Sequence, residues 1–116
     1  VDYKATAKAE TVTELLNTRF HNQYRRQLEV YQWLLRGNDL KVSDTGYFVY
    51  CTGKSDRAAF DGKLEFDVVV IPYVGSDAWV EPKLLEIKKC LEGKIPDSSP
   101  ACEYCAYRRA TASFEK

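Results

Sequence analysis

The clearest strand patterns lie in the middle of the chain. Residues 46–52, Gly-Tyr-Phe-Val-Tyr-Cys-Thr, are rich in aromatic and β-branched side chains and are bounded by glycine, which predicts a strand. Residues 63–71 predict a second strand, after a polar loop over 53–62. Its first half alternates, which favours one wet face, and its second half is apolar, which favours burial on both faces. The positions predicted to face solvent are Lys63, Glu65 and Asp67.

The opening residues, 1–6, also alternate between polar and apolar and predict the end of a strand. We expect this strand to lie beside the strand at 46–52, and the strand at 63–71 to extend the sheet. Residues 72–77 follow as a predicted turn.

Residues 21–36 predict the main helix, packed on one face of that sheet. Its apolar positions repeat at steps of four, three and four: Tyr24, Leu28, Tyr31 and Leu35. Asn22 is the expected cap, and Gly37 is expected to end the helix with a left-handed backbone.

A second helix is predicted from Pro82 to Leu91, and a short helical turn at 13–16. The second helix should bury a stripe formed by Leu84, Leu85, Ile87 and Leu91. The remaining tail, 95–116, is rich in Pro and Ser and then contains Cys102 and Cys105. We expect a single domain with an α/β core at 1–94 and this cysteine-containing tail.

Composition restricts the function more than the fold. A chain of 116 residues with 45% hydrophobic and 13% aromatic residues can form one core, and no apolar run is long enough to cross a membrane. With 17 basic and 17 acidic residues the net charge is zero, which argues against binding of nucleic acid over a broad positively charged surface. The chain has no Met, which either removal of a signal or pro-segment or a fragment of a longer protein would explain. Because residues 1–4 begin inside a predicted strand, we expect a fragment, and we expect the protein to be cytoplasmic.

Asp2-Tyr3-Lys4 places an acid and an amine two residues apart on the first strand, hence on one face. A carboxylate can bind a hard divalent cation, and a neighbouring amine can orient water or stabilise charge on a phosphate. The simpler interpretation is an edge strand with a solvated ion pair.

Gln27 lies one turn before Tyr31 on the main helix. A Gln beside a buried stripe must find hydrogen-bond partners for its amide. It could also be an ordinary residue at the margin of an amphipathic helix.

The order of these motifs resembles the RecB-like branch of the PD-(D/E)XK nuclease superfamily. Asp2-Tyr3-Lys4 looks like its (D/E)-x-K half-motif, Gln27 and Tyr31 like its Gln-x-x-x-Tyr motif, and Cys102 and Cys105 like part of its C-terminal cysteine group. The resemblance implies a restriction-endonuclease-like mixed sheet flanked by helices, here without its first helix and first two strands.

The same resemblance implies hydrolysis of DNA phosphodiesters with Mg²⁺ or Mn²⁺, in DNA repair and within a larger nuclease or helicase assembly. Asp2 would be the metal ligand, Lys4 the catalytic lysine, and Gln27 and Tyr31 the supporting residues. The family also needs an Asp on a preceding strand. We therefore expect the chain, as given, to hold half an active site and to be nearly inactive alone.

The cysteines raise the question of an iron–sulfur cluster, which the resemblance implies for some family members. A cluster or zinc site needs four ligands, and only Cys102 and Cys105 have ligand spacing. A local disulfide or a reduced pair is the expected state. Cys51 and Cys90 are expected to be small core residues.

Other candidates carry weaker signals. Arg25 and Arg26 are candidate DNA contacts or parts of a solvated face, and His21 is expected at the surface or as a cap rather than as a base. Asp61 with Glu86 and Lys88 imitates a second metal motif, but Glu86 and Lys88 lie on a predicted helix, where residues two apart diverge. We expect both on a solvated helix face.

Two other interpretations remain open at this stage. The chain could be a non-catalytic module that binds nucleic acid or protein with a nuclease-like fold, or an unrelated interaction domain. The nuclease interpretation requires Asp2 and Lys4 on one strand face with Gln27 reaching toward them. We also expect the unpaired edge of the first strand to promote self-association.

Overall fold

The computed structural model describes residues 1–57 and 62–114, which form a small α/β protein. Residues 58–61, including Asp61 and part of the predicted loop, lie outside the described residues. The chain divides into two compact units, Val1–Val80 and Glu81–Lys116. In the described ranges, no helix combines the length and the apolar character needed to cross a membrane. The elements are β1 (Asp2–Lys8), α1 (Arg19–Gly37), β2 (Thr45–Lys54), β3 (Phe66–Val74), α2 (Val80–Glu92), α3 (Glu103–Thr111) and a short 3₁₀ turn (Ala112–Phe114).

The three strands form one mixed sheet in the order β1-β2-β3. β1 pairs with β2 in parallel, with Lys4 opposite Tyr50, and β2 pairs with β3 antiparallel, with Tyr50 opposite Val69. A parallel pair needs a crossover connection, and α1 provides it. The predicted strand order is confirmed.

α1 packs on one face of the sheet through a small apolar core. Leu28, Phe48, Tyr50 and Ile71 form this cluster. A Cβ atom at Gly46 would lie 2.4 Å from Leu28 Cδ2, so glycine permits the close approach of α1 to β2. The predicted packing of the main helix on the sheet is confirmed.

The helix begins earlier than predicted, because Thr18 is its cap. The Thr18 side chain accepts a hydrogen bond from the His21 N–H, whereas Asn22, the predicted cap, bonds with Asn17 and Arg25. At the other end, Gly37 is the last helical residue and Asp39 adopts the positive φ of 60°. The left-handed position was therefore predicted two residues too early.

The predicted helical turn at 13–16 is absent. The segment before α1 is irregular, and side chains of α1 form hydrogen bonds with its backbone groups. Arg25 donates hydrogen bonds to the carbonyls of Leu15 and Leu16, and His21 Nδ1 accepts the Leu16 N–H.

The buried face of α1 also differs from the predicted stripe. Leu28 is buried, but Tyr31 and Leu35 are each 44% exposed. Glu29 and Gln32 are buried instead. Glu29 accepts hydrogen bonds from Tyr73 and Trp79, and Gln32 Nε2 donates to the carbonyls of Ser43 and Asp44. Gln32 Oε1 is buried without a hydrogen-bond partner.

β3 lies three residues further along than predicted. It runs through Pro72, which is acceptable in an edge strand because no interior ladder bond is lost there. Its faces are reversed from the prediction. Asp67 shares the helix side with Val69 and Ile71, while Val68 and Val70 are exposed. The predicted burial of its second half on both faces is thus wrong.

In the second unit, α2 confirms the predicted second helix. Its apolar stripe is exposed rather than buried, since Leu84, Leu85, Ile87 and Leu91 each expose 45% or more. Cys90 is exposed as well, and Cys51 is only half-buried, so neither is a core residue. α3 was not predicted, because its start lies in a short segment dominated by Cys, Pro and Ser.

Candidate active site around Lys4

The residues of the Asp-x-Lys motif lie on the helix-facing side of β1. The side chains of Asp2 and Lys4 are each 14% exposed, whereas Tyr3 between them is 73% exposed on the other face. The alternation of a strand produces this arrangement. The predicted placement of Asp2 and Lys4 on one face is confirmed.

The Lys4 ammonium is the centre of the site. Lys4 Nζ donates a hydrogen bond to Gln27 Oε1 over 2.6 Å and lies 2.9 Å from Asp2 Oδ2. It also lies 4.4 Å from the centroid of the Tyr24 ring, a cation–π distance. Three side chains thus fix the position of one cation.

Tyr31 extends this contact by one further hydrogen bond. Gln27 Nε2 donates to Tyr31 Oη over 2.7 Å, one helical turn away. With its amide nitrogen on Tyr31, Gln27 presents its oxygen to Lys4. The two motifs, 23 residues apart in sequence, therefore meet through Gln27 and Lys4.

The Asp2 carboxylate is buried beside Lys4. Its Oδ2 atom is buried and has no hydrogen-bond donor of suitable geometry, although Lys4 Nζ lies within ion-pair distance. A buried carboxylate oxygen in this state fits the role of an oxygen ligand for Mg²⁺ or Mn²⁺.

Asp2 does not form a complete metal site by itself. Across residues 1–57 and 62–114, no three His, Cys, Asp or Glu side chains are grouped closely enough to hold a metal. Mg²⁺ usually takes one or two carboxylates together with substrate oxygens and water.

The cysteine pair forms a separate local arrangement. Cys102 caps α3, and its Sγ accepts the Cys105 N–H over 3.4 Å. This backbone bond, with the Cys105 side chain and the Tyr104 N–H, lowers the pKa of the Cys102 thiol, partly opposed by burial. Both thiols are free in the structure. The predicted cluster or metal role of the pair stays a prediction.

Arg25 and His21 lie near the start of α1. Arg25 donates hydrogen bonds to the carbonyls of Leu15 and Leu16 and to Asn22, so its guanidinium holds the segment before α1. Arg26 is exposed, and the DNA contacts of both arginines stay a prediction. His21 is 7% exposed, contrary to the expected surface position, and packs near Tyr24 and Tyr50.

Glu86 and Lys88 form ion pairs along α2. Glu86 pairs with Lys83, and Lys88 lies 3.8 Å from Glu92 along α2. All four side chains are more than half exposed. The expected solvated helix face is confirmed for Glu86 and Lys88.

Two polar features were missed by the sequence analysis. Tyr24, one turn before Gln27, contacts Lys4, and its spacing on the helix could have indicated this. Glu29 is buried and accepts hydrogen bonds from Tyr73 Oη (2.6 Å), Trp79 Nε1 (2.7 Å) and the Ser76 N–H (3.3 Å). It ties the loop after β3 to α1, and no local sequence pattern indicated that.

Comparisons with known proteins add no relative. No protein-family model, curated protein or solved structure shows significant similarity to this chain.

Proposed function

We propose that Lys4 and its neighbours form the lysine side of a metal-dependent site that hydrolyses DNA phosphodiesters, as in a RecB-like nuclease. The observation that supports this is the meeting of the two motifs. Gln27, on α1, holds the ammonium of Lys4 beside the buried oxygen of Asp2. A solvated ion pair on an edge strand would not need a helix residue to hold it.

The residues would divide the chemistry between them. Hydrolysis joins a water oxygen to phosphorus and breaks one phosphorus–oxygen ester bond. Lys4 would orient the attacking water and stabilise negative charge as it develops on the phosphate. Gln27 and Tyr24 would fix the direction of the ammonium, and Tyr31 would fix the Gln27 amide.

Asp2 would contribute one oxygen ligand to a bound Mg²⁺ or Mn²⁺. When bound, such an ion lowers the pKa of water and neutralises phosphate charge. Because the described residues include no group of three ligands, we expect slow cleavage at most from the 116-residue chain alone.

The test uses DNA binding and cleavage together. The 116-residue chain is titrated with a labelled oligonucleotide with and without Mn²⁺, and long incubations record cleavage. We expect Mn²⁺ to tighten binding and Asp2→Asn to remove this effect. Lys4→Ala should abolish whatever cleavage is present.

Matched controls are available on the surface of the same unit. Asp39→Asn changes an exposed Asp at a positive φ that Asn also tolerates, and Lys63→Ala removes an exposed Lys. The proposal fails if Mn²⁺ does not affect DNA binding and cleavage is equal in the wild type and in Lys4→Ala. Robust turnover that Lys4→Ala abolishes would support the nuclease but overturn the expectation of half a site.

The same test addresses the alternative, a module that binds without cleaving. The lack of a three-ligand group in the described residues favours that alternative. DNA binding that is independent of Mn²⁺, of Asp2 and of Lys4 would support it.

A further inference from the structure

A second recess lies on the same side of β1 as Lys4. The helix-facing residues of β1 continue from Asp2 and Lys4 to Thr6 and Lys8. Thr6 and Lys8 line a cavity of about 380 Å³ together with residues of α1, β2 and the segment before α1. Tyr24 belongs to both places, since its ring contacts the Lys4 ammonium and lines this cavity.

The distance from Lys4 suits a neighbouring part of a nucleic acid strand. Thr6 is two residues beyond Lys4, which is about 7 Å along a strand. Stacked nucleotides on one DNA strand are spaced by about 3.4 Å. The cavity therefore lies one or two nucleotides from a phosphate held at Lys4.

The lining has the chemistry of a nucleotide site. Four rings contribute to it: Phe20, His21, Tyr24 and Tyr50. Phe20, in the first turn of α1, is 69% exposed, so a face of its ring can take a stacked base. Aromatic stacking is the usual means of binding single-stranded bases without sequence preference.

Charge and hydrogen-bonding groups complete this lining. Lys8 supplies a cation, and Thr6 and Thr18 supply hydroxyl groups, whereas none of the lining residues is acidic. A purely apolar ligand would not use these groups. A base joined to a phosphodiester would use all of them.

We propose that this cavity binds one nucleotide of single-stranded DNA next to the phosphodiester at Lys4, with its base stacked on Phe20. The inference rests on the proposed function for the identity of the strand. It adds a binding site that sets where the strand lies relative to Lys4.

The experiment measures binding of fluorescent oligothymidylate to the 116-residue chain in EDTA, so that neither metal nor cleavage contributes. Phe20→Ala should weaken binding about tenfold, because stacking on one aromatic ring is lost. Phe20→Trp should retain binding. The control is Phe66→Ala, an exposed Phe that does not line the cavity and should change binding less than twofold.

If Phe20→Ala does not fold, a second variant, Lys8→Gln, tests the same cavity. Lys8→Gln should reduce the slope of log K against log salt concentration by about 0.7, the value for one phosphate contact on a single strand. Backbone amide shifts of Thr6 and Tyr24 should move when oligothymidylate is added.

The outcomes separate this inference from the proposed function. Wild-type binding that is unchanged in Phe20→Ala and Lys8→Gln overturns the nucleotide site and leaves the Lys4 site untouched. Absence of binding in EDTA also overturns it, since the cavity needs no metal. Failure of the proposed function would instead appear as Mn²⁺ and Lys4→Ala having no effect, whatever Phe20 does.

Discussion

Lys4 Nζ donates a 2.6 Å hydrogen bond to Gln27 Oε1, and this contact joins the first strand to the main helix. The two residues are 23 positions apart, and both are largely shielded from water. A charged hydrogen bond in such a place is stronger than one at the surface. Gln27 suits this position because its amide oxygen accepts from Lys4 while its amide nitrogen donates to Tyr31.

The first prediction concerns the strength of this bond. In a double-mutant cycle, Lys4→Ala and Gln27→Ala should show a coupling energy of about 1.5–3 kcal/mol, the range for a hydrogen bond to a charged group. Urea unfolding of the two single variants and the double variant measures it.

The control for this cycle is Gln23→Ala, an exposed Gln on the same helix. It should show no coupling to Lys4→Ala. Tyr31→Phe should weaken the coupling between Lys4 and Gln27, because Tyr31 orients the amide. Coupling below about 0.3 kcal/mol, the additivity limit for independent sites, would contradict the assigned contact.

The site motifs could be predicted from the sequence because each follows a local rule. Strand alternation places Asp2 and Lys4 on one face, and helical spacing places Gln27 one turn from Tyr31. The order of the strands followed from chain order and from the helix between β1 and β2. These rules need no knowledge of the rest of the molecule.

The residues that the sequence analysis placed wrongly depend on long-range contacts. Glu29 is buried because Tyr73 and Trp79, more than 40 positions away, donate to it. The hydrogen bonds of Arg25 to the carbonyls of Leu15 and Leu16 likewise follow no helical pattern. Hydrophobic periodicity cannot show which polar residues will find such partners, so it placed Tyr31 and Leu35 in the core instead.

A second prediction follows from the Glu29 hydrogen bonds. Glu29→Ala should destabilise the protein by about 2–4 kcal/mol, because it leaves the donors of Tyr73, Ser76 and Trp79 without their acceptor. Thermal or urea unfolding measures this, with the exposed Glu14→Ala as the control that should change little. An equal effect of both variants would contradict the structural role of Glu29.

Tyr73, which donates to Glu29, makes the stability of the protein depend on pH. Burial first, and then the hydrogen bond and charge of Glu29, raise the pKa of Tyr73 to about 12, opposed by Arg25. The folded state holds the proton of the Tyr73 hydroxyl more tightly than the unfolded chain does. The free energy of unfolding that this protonated hydroxyl contributes is therefore fully present below about pH 10. It should be lost as the pH rises through about 12. Ultraviolet titration should show a lower Tyr73 pKa in Glu29→Ala, still above its ordinary value because burial remains.

The third prediction concerns thiol reactivity. The Cys105 N–H and side chain lower the pKa of the Cys102 thiol, and the thiolate is the reactive form. Cys102 should therefore react with iodoacetamide faster than the exposed Cys90 at mildly acidic pH. Peptide mass mapping after short pulses measures both rates in one sample.

Cys105→Ala tests the cause of this reactivity. It removes the side-chain contribution but keeps the larger backbone N–H, so Cys102 should be only partly slowed. If Cys90 reacts as fast as Cys102 across the pH range, the capping geometry is wrong.

A colourless, metal-free protein from an anaerobic preparation would exclude an iron–sulfur cluster at Cys102 and Cys105.

The fourth prediction concerns the edge of the sheet. β1 pairs only with β2 in the described sheet, so its other edge offers unpaired backbone groups, and such edges recruit further strands. We expect the chain to self-associate at high concentration. Light scattering should show a mass above that of the monomer.

Because charged side chains on an edge strand oppose pairing, Ala5→Lys with Ala7→Lys should restore the monomer, whereas Ser55→Lys in an exposed loop should not. A wild-type chain that stays monomeric at the highest soluble concentration would contradict the prediction.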